Sequence, residues 1–180
     1  MSNVLIGIIG VILFIGLALA GALFLGPRFQ QSTANSKASA IVQSLQQIQS
    51  AENLFRLNEG RSIPSGGSGE ALLSTLRTGG YLKARPVNPF AQDVTDADIV
   101  YHGGDSTGSQ SGAPMTMVFT YLPTGQTARD ACLAIERQMG NPNPEGQVDA
   151  VGTSFAERYQ NARRPGCLKY TGGYLAYTFL

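Results

Sequence analysis

Residues 4–26 carry no charged side chain, and this apolar run passes directly into a polar stretch of helical composition. Coiled as a helix rising about 1.5 Å per residue, roughly 23 such residues span the hydrocarbon core of a bilayer, about 30 Å thick. Behind the run, residues 28–58 are rich in Gln, Ser, Ala and Leu. This pattern predicts one long N-terminal helix, apolar in its first half and amphipathic in its second, followed by a globular head.

Of the 180 residues, such a helix takes about 58 and leaves roughly 120, enough for one domain with a real core. Three segments follow: an apolar half over 1–27, an amphipathic half over 28–59 and a head over 60–180. The formal net charge is +1, and basic residues do not cluster beyond Arg163 and Arg164. The basic stripe with interleaved aromatics that marks a nucleic-acid surface is missing. The apolar run is also too long for a cleaved secretory signal, whose apolar part is about 7–15 residues behind a basic start. No Lys or Arg precedes it, so a retained membrane helix is expected, although Ala18-Leu19-Ala20 resembles a signal-peptidase site.

Small residues recur along the run. Gly16 and Ala20, like Ala18 and Ala22, stand four apart, where another helix backbone can come close; Gly and Ala are also simply frequent in membrane helices. Pro27 ends the run and is expected to kink the helix, since it lacks an N–H to donate. Further on, Ile41, Leu45, Ile48 and Phe55 are spaced as one helical stripe that can pack on a head. Gly60 supplies a stop.

A Ser/Gly/Pro loop is read over 62–69, a short helix over 70–77 and a turn at Gly79-Gly80. An extended, proline-punctuated segment covers 81–90. Strands are expected over 99–102 and 115–122, separated by a Gly/Ser-rich loop over 102–114. A helix over 125–140 would start from Thr127 as N-cap and present Ala131, Cys132, Ile135 and Met139 on one face. A Pro-rich turn at 141–146, a short helix over 154–162 and closing strands at 168–170 and 174–180 complete the reading. The fold class is α+β, with an antiparallel sheet packed on the long helix.

The cysteines, Cys132 and Cys167, both lie in the head. In a membrane-anchored chain with its head outside the cytoplasm they read as one disulfide closing a loop of about 36 residues, worth roughly 3–4 kcal/mol. Two separate buried thiols are the alternative; zinc is disfavoured because no second Cys or His stands at ligand spacing.

Little in the sequence has the form of a reactive centre. His102 is the single histidine and has no Ser-His-Asp or Cys-His pattern around it. Ser154 sits in Gly-Thr-Ser-Phe-Ala, without the second glycine of a nucleophile elbow. Asp93, Asp96 and Asp98 alternate as calcium ligands can, yet the glycine and distal glutamate of an EF-hand are missing. Gly66-Gly67-Ser68-Gly69 is not followed by the Lys-Ser or Lys-Thr pair of a phosphate loop. No catalysis, metal or cofactor is expected.

The combination of apolar helix, amphipathic continuation, antiparallel head and C-terminal cysteine pair resembles the type IV pilins. Gly80-Tyr81-Leu82-Lys83 with Pro86 and Pro89 is similar to the segment that follows the long helix in pilins and pseudopilins. Ala131-Cys132 on a helix directly after a strong strand, with a partner near the end, resembles the type IVb subgroup of toxin-coregulated and conjugative thin pili. The resemblance implies a homo-oligomeric helical filament with Val4, Leu5, Ile8, Ile12, Phe14, Gly16, Ala20 and Phe24 in its core. It implies a subunit that waits in the inner membrane, is extracted by the pilus assembly machinery and ends in an extracellular pilus.

Two features depart from that family. Members begin as precursors with a short basic leader ending in Gly, whereas this sequence begins at Met1, expected as either the processed, modifiable first residue or an unprocessed start. Members also carry a glutamate near the mature N-terminus, thought to pair with a neighbour's α-amine, and residues 1–6 here hold no acid. Docking would then fall to groups such as Ser2 or Asn3, and a minor or tip subunit stays open beside a major one. Two other readings remain: a pseudopilin of a secretion or DNA-uptake system, and a monomeric membrane-anchored periplasmic binding protein. In a pilin the loops 62–69, 102–114 and 140–151 would face solvent as adhesive or variable surface.

Overall fold

A computed structural model describes residues 2–63, 69–91, 100–102, 117–149, 165–170 and 172–180. In chain order these form α1 (Ser2–Glu59), α2 (Gly69–Thr78), β1 (Val100–His102), β2 (Met117–Leu122), α3 (Gln126–Gln138), α4 (Pro144–Asp149), β3 (Gly166–Tyr170) and β4 (Gly173–Phe179). The chain divides into two compact units, Met1–Thr33 and Ala34–Leu180. In the first, the helix runs on through Pro27. The expected helix over 154–162 lies outside the described residues.

In the second unit the strands form one antiparallel sheet in the order β1-β2-β4-β3. The β2–β4 pairing runs from Met117 opposite Phe179 to Leu122 opposite Tyr174, so the chain end is paired into the sheet interior. Because side chains alternate across a strand, β4 serves both faces. Tyr174 and Ala176 join the core that contains α1, α2 and α3. Leu175, Tyr177 and Phe179 join Met117, Phe119 and Leu168 in a second cluster. The β3–β4 connection needs glycine: a Cβ on Gly173 would clash with the Leu122 carbonyl oxygen.

The stripe on α1 explains how the larger core is held. Ala34, Ala38, Ile41, Leu45, Ile48, Ala51 and Phe55 are all buried in it, at spacings of four and three that keep one helix face turned inward. Leu54 and Leu57 fall off the stripe and are exposed. The helix stops where expected, with Gly60 in the left-handed region at φ 67 and its N–H bonded to the Arg56 carbonyl, a conformation that costs glycine least. Leu72, Leu73 and Leu76 of α2 enter the same core. Contacts with α1, α2 and β2 tie on the 81–90 segment. Tyr81 packs edge-on against Phe55 at 5.4 Å, and Asn88 Nδ2 donates to the Tyr121 carbonyl at 2.7 Å.

Three readings are corrected. Thr127 lies inside α3, whose N-cap is Gly125 without a side-chain cap bond. The turn expected at 141–146 is instead the entry to α4, which starts at Pro144; proline suits the first helical position because that N–H has no helical acceptor. The 140–151 segment is therefore not all surface, since Asn141 and Val148 are buried.

Ile48 is completely buried on the stripe. Ile48→Ala is expected to lower the unfolding free energy of the detergent-solubilised chain by about 2–4 kcal/mol, through lost transfer energy plus a cavity. Urea unfolding checks this; a change below about 1 kcal/mol would contradict the packing described.

Candidate functional site

The α1 segment Val4–Ala22 has a mean hydropathy of 2.8 and none of it is buried. Successive residues of a helix turn about 100°, so Ile12, Leu13, Phe14 and Ile15 together look in every direction. Each is more than half exposed, Phe14 at 75%. Val4, Leu5 and Ile8 are exposed in the same way, as are Gly16 and Ala20. A Cβ placed on Gly7, Gly10, Gly16 or Gly21 would meet nothing within 4 Å, so no packing among the described residues requires those glycines. Met1 and the side chains of Phe24 and Pro27 lie outside the described residues.

The energetics of this segment are one-sided. Burying a Val, Leu, Ile or Phe side chain is worth about 1.5–3 kcal/mol. About a dozen exposed on one helix leave on the order of 20 kcal/mol of burial unrealised within the chain. A helix that is apolar all round belongs in a core or a bilayer. The segment is long and apolar enough to cross a membrane, as an anchor or as a signal sequence.

Cys132 and Cys167 form a disulfide with Cα atoms 5.4 Å apart, linking α3 to β3 within the larger core. This resolves the two sequence readings in favour of a bond. One turn before Cys132 on α3, Arg129 holds Asp149 through two hydrogen bonds, 2.5 and 3.1 Å. That contact keeps the Asp149 carboxyl below its ordinary range and pins α4 to α3.

An open groove of about 600 Å³ runs along α1 beside residues 81–84. Gln43, Gln46, Gln47 and Ser50 line one side, Tyr81 and Lys83 the other. The amides, the Tyr81 phenol and the Lys83 ammonium group give it hydrogen-bonding capacity. Among the described residues no three His, Cys, Asp or Glu side chains lie close enough to hold a metal ion. Asp93, Asp96, Asp98 and Ser154 lie outside the described residues. Of His102, the backbone pairs with Met117.

Sequence reasoning missed two buried carboxylates, Glu136 on α3 and Glu52 on α1. The interval of four and three through Ala34, Ala38, Ile41, Leu45 and Ile48 arrives next at Glu52, which is 2% exposed. Oε2 of Glu52 makes no hydrogen bond and stands 3.8 Å from the Arg56 guanidinium. Burial raises its pKa, against the smaller opposing pull of Arg56. The signal was legible as an acid at the next position of an apolar stripe.

Compared with family models, curated proteins and solved structures, the chain matches none.

Two measurements follow from these groups. Lysine at Ile12 sits mid-segment, where a charge costs about 2.5–3.5 kcal/mol in a bilayer. Ile12→Lys is expected to shift the chain from the membrane pellet to the alkaline-carbonate supernatant, while Gln46→Lys does not. For Glu52, a folded pKa above the unfolded one means that folding takes up a proton. Its contribution is fully present below the unfolded value, about 4.3, and is lost as pH rises through the raised folded value. Glu52→Gln is therefore expected to be the more stable form near pH 8, with the gap to wild type closing towards about pH 4. Parallel urea-unfolding curves across that range would contradict the assignment.

Proposed function

We propose that this chain is a structural subunit of the type IV pilin class, polymerising through its apolar helix into a filament of identical copies. The observation that carries the reading is the wholly exposed, all-round apolar segment Val4–Ala22. It belongs to the same helix as a stripe buried in a separate α+β unit. Apolar surface of that extent is covered either by lipid or by other copies of itself. A subunit that can exchange one cover for the other is membrane-held before assembly and filament-held after it. Repetition of a contact that does not close on itself gives a fibre and not a ring.

Other features support the same reading. The antiparallel sheet, the Cys132–Cys167 bond near the chain end, and the Gly80-Tyr81-Leu82-Lys83 turn before Pro86 and Pro89 are the parts by which the sequence resembles that family. The subunit itself performs no reaction in this proposal; it contributes surface and tensile strength. Its residues Val4, Leu5, Ile8, Ile12, Phe14, Gly16, Ala20 and Phe24 form the filament core, and the inner membrane is its site before extraction by assembly machinery.

Electron microscopy of fibres sheared from the native host, with intact-mass analysis of their main subunit, tests the proposal. Fibres built from this chain are the expected result, and the mass identifies the residue at the N-terminus and any modification on it. Recovery of the chain only from the inner membrane, with none in sheared material, would overturn the reading in favour of a pseudopilin or an anchored monomer.

A further inference from the structure

The disulfide is accompanied by a buried carboxylate one helical turn away. Glu136 follows Cys132 by four residues on α3, so the two share a face, and Glu136 is 2% exposed. Its Oε1 accepts a hydrogen bond from the Cys167 backbone N–H at 2.6 Å. Its Oε2 accepts one from Asn141 Nδ2 at 2.5 Å. Asn141 is itself fixed, its own N–H donating to the Glu136 carbonyl at 3.0 Å and its Oδ1 accepting from the Asn143 N–H.

The place of Cys167 explains why such a group is useful. Among the described residues β3 stands at the edge of the sheet beside β4, and an edge strand turns N–H groups outward. Glu136 takes the one belonging to Cys167. Gly166 leaves room for that bond: a Cβ there would lie 2.6 Å from Glu136 Oε1 and push the carboxylate aside. Burying a carboxylate costs several kcal/mol unless hydrogen bonds compensate it. An apolar residue would fill the same space without that cost, so the carboxylate is there for the bonds it accepts. None of those bonds involves sulfur.

We propose that Glu136 is the positioning residue for the disulfide: it seats Cys167 beside Cys132 while both are still thiols. The bond then closes over a site that is already assembled. With oxidised glutathione as the oxidant, the chemistry is two thiol–disulfide exchanges. The thiolate of one cysteine attacks a glutathione sulfur and releases one glutathione thiolate. The second cysteine thiolate then attacks the mixed disulfide and releases the other. The two cysteines lose two protons and two electrons, and the oxidant becomes two reduced glutathiones.

The test uses the full chain in detergent micelles, reduced, and reads two quantities. Amide hydrogen exchange followed by NMR is expected to show the Cys167 N–H protected in reduced wild type and unprotected in reduced Glu136→Leu. Equilibration with glutathione gives the effective concentration of the thiol pair, a reading set by equilibrium and not by thiol reactivity. It is expected to fall about tenfold in Glu136→Leu and in Gly166→Ala, the scale of one hydrogen bond to a charged group. Asn141→Ala is expected to lower overall stability yet keep Cys167 protected and leave the effective concentration within about threefold of wild type. The proposal fails if reduced wild type exchanges its Cys167 amide as an unfolded chain does while β2 and β4 stay protected, a result that needs no variant to fold. It fails equally if Glu136→Leu and wild type share one effective concentration.

Discussion

The structure depends on how one helix disposes of two kinds of apolar surface. Over Ala34 to Phe55 the surface is a stripe, and the chain supplies its cover from α2, α3 and one face of the sheet. Over Val4–Ala22 it has no stripe, because every direction is apolar, and none of the segment is buried among the described residues. A stripe one face wide is matched by one layer of partners. An apolar cylinder needs partners on all sides, which a single following domain of this size does not provide.

Within the larger unit, the load of closing the core falls on its last third. β4 is buried on both faces and β2 pairs with it along its whole length, so the final residues of the chain are structural. β3 then adds a strand of five residues, paired with β4 along its length. The disulfide and the Glu136 carboxylate both act on that strand at Cys167. The covalent bond limits how far the strand can move. The hydrogen bond fixes where it sits, and these two constraints restrict different degrees of freedom at one residue.

What was legible in the sequence follows the strength of the local signal. The apolar run, the stripe from Ile41 to Phe55, the Gly60 stop and the aromatic closing strand all rest on periodicity or composition over many residues, and all appear in the structure. The cysteine pair was reachable because only two cysteines exist to pair. Decisions resting on one residue fared worse. Thr127 has the chemistry of a cap, yet the backbone enters α3 two residues earlier, at Gly125. Pro144 and Gly146 look like a turn, yet Val148 is drawn into the core and α4 forms around it. Glu136 was invisible as a functional group, because its partners lie 31 residues onward at Cys167 and in an asparagine beyond the helix end. Contacts of that kind have no local period to read.

In a filament, the same all-round apolarity that drives burial leaves geometry underdetermined. A cylinder of Leu, Ile, Val and Phe gains nearly the same free energy at many rotations and offsets, because the hydrophobic effect follows area and not direction. Register has to come from directional groups or from steric detail. Glycines whose missing Cβ atoms touch nothing among the described residues would supply steric detail by letting a second backbone approach at fixed heights. On the proposed reading, therefore, small-residue packing in the core is what sets subunit register, because it is the one feature of this segment that distinguishes one rotation from another.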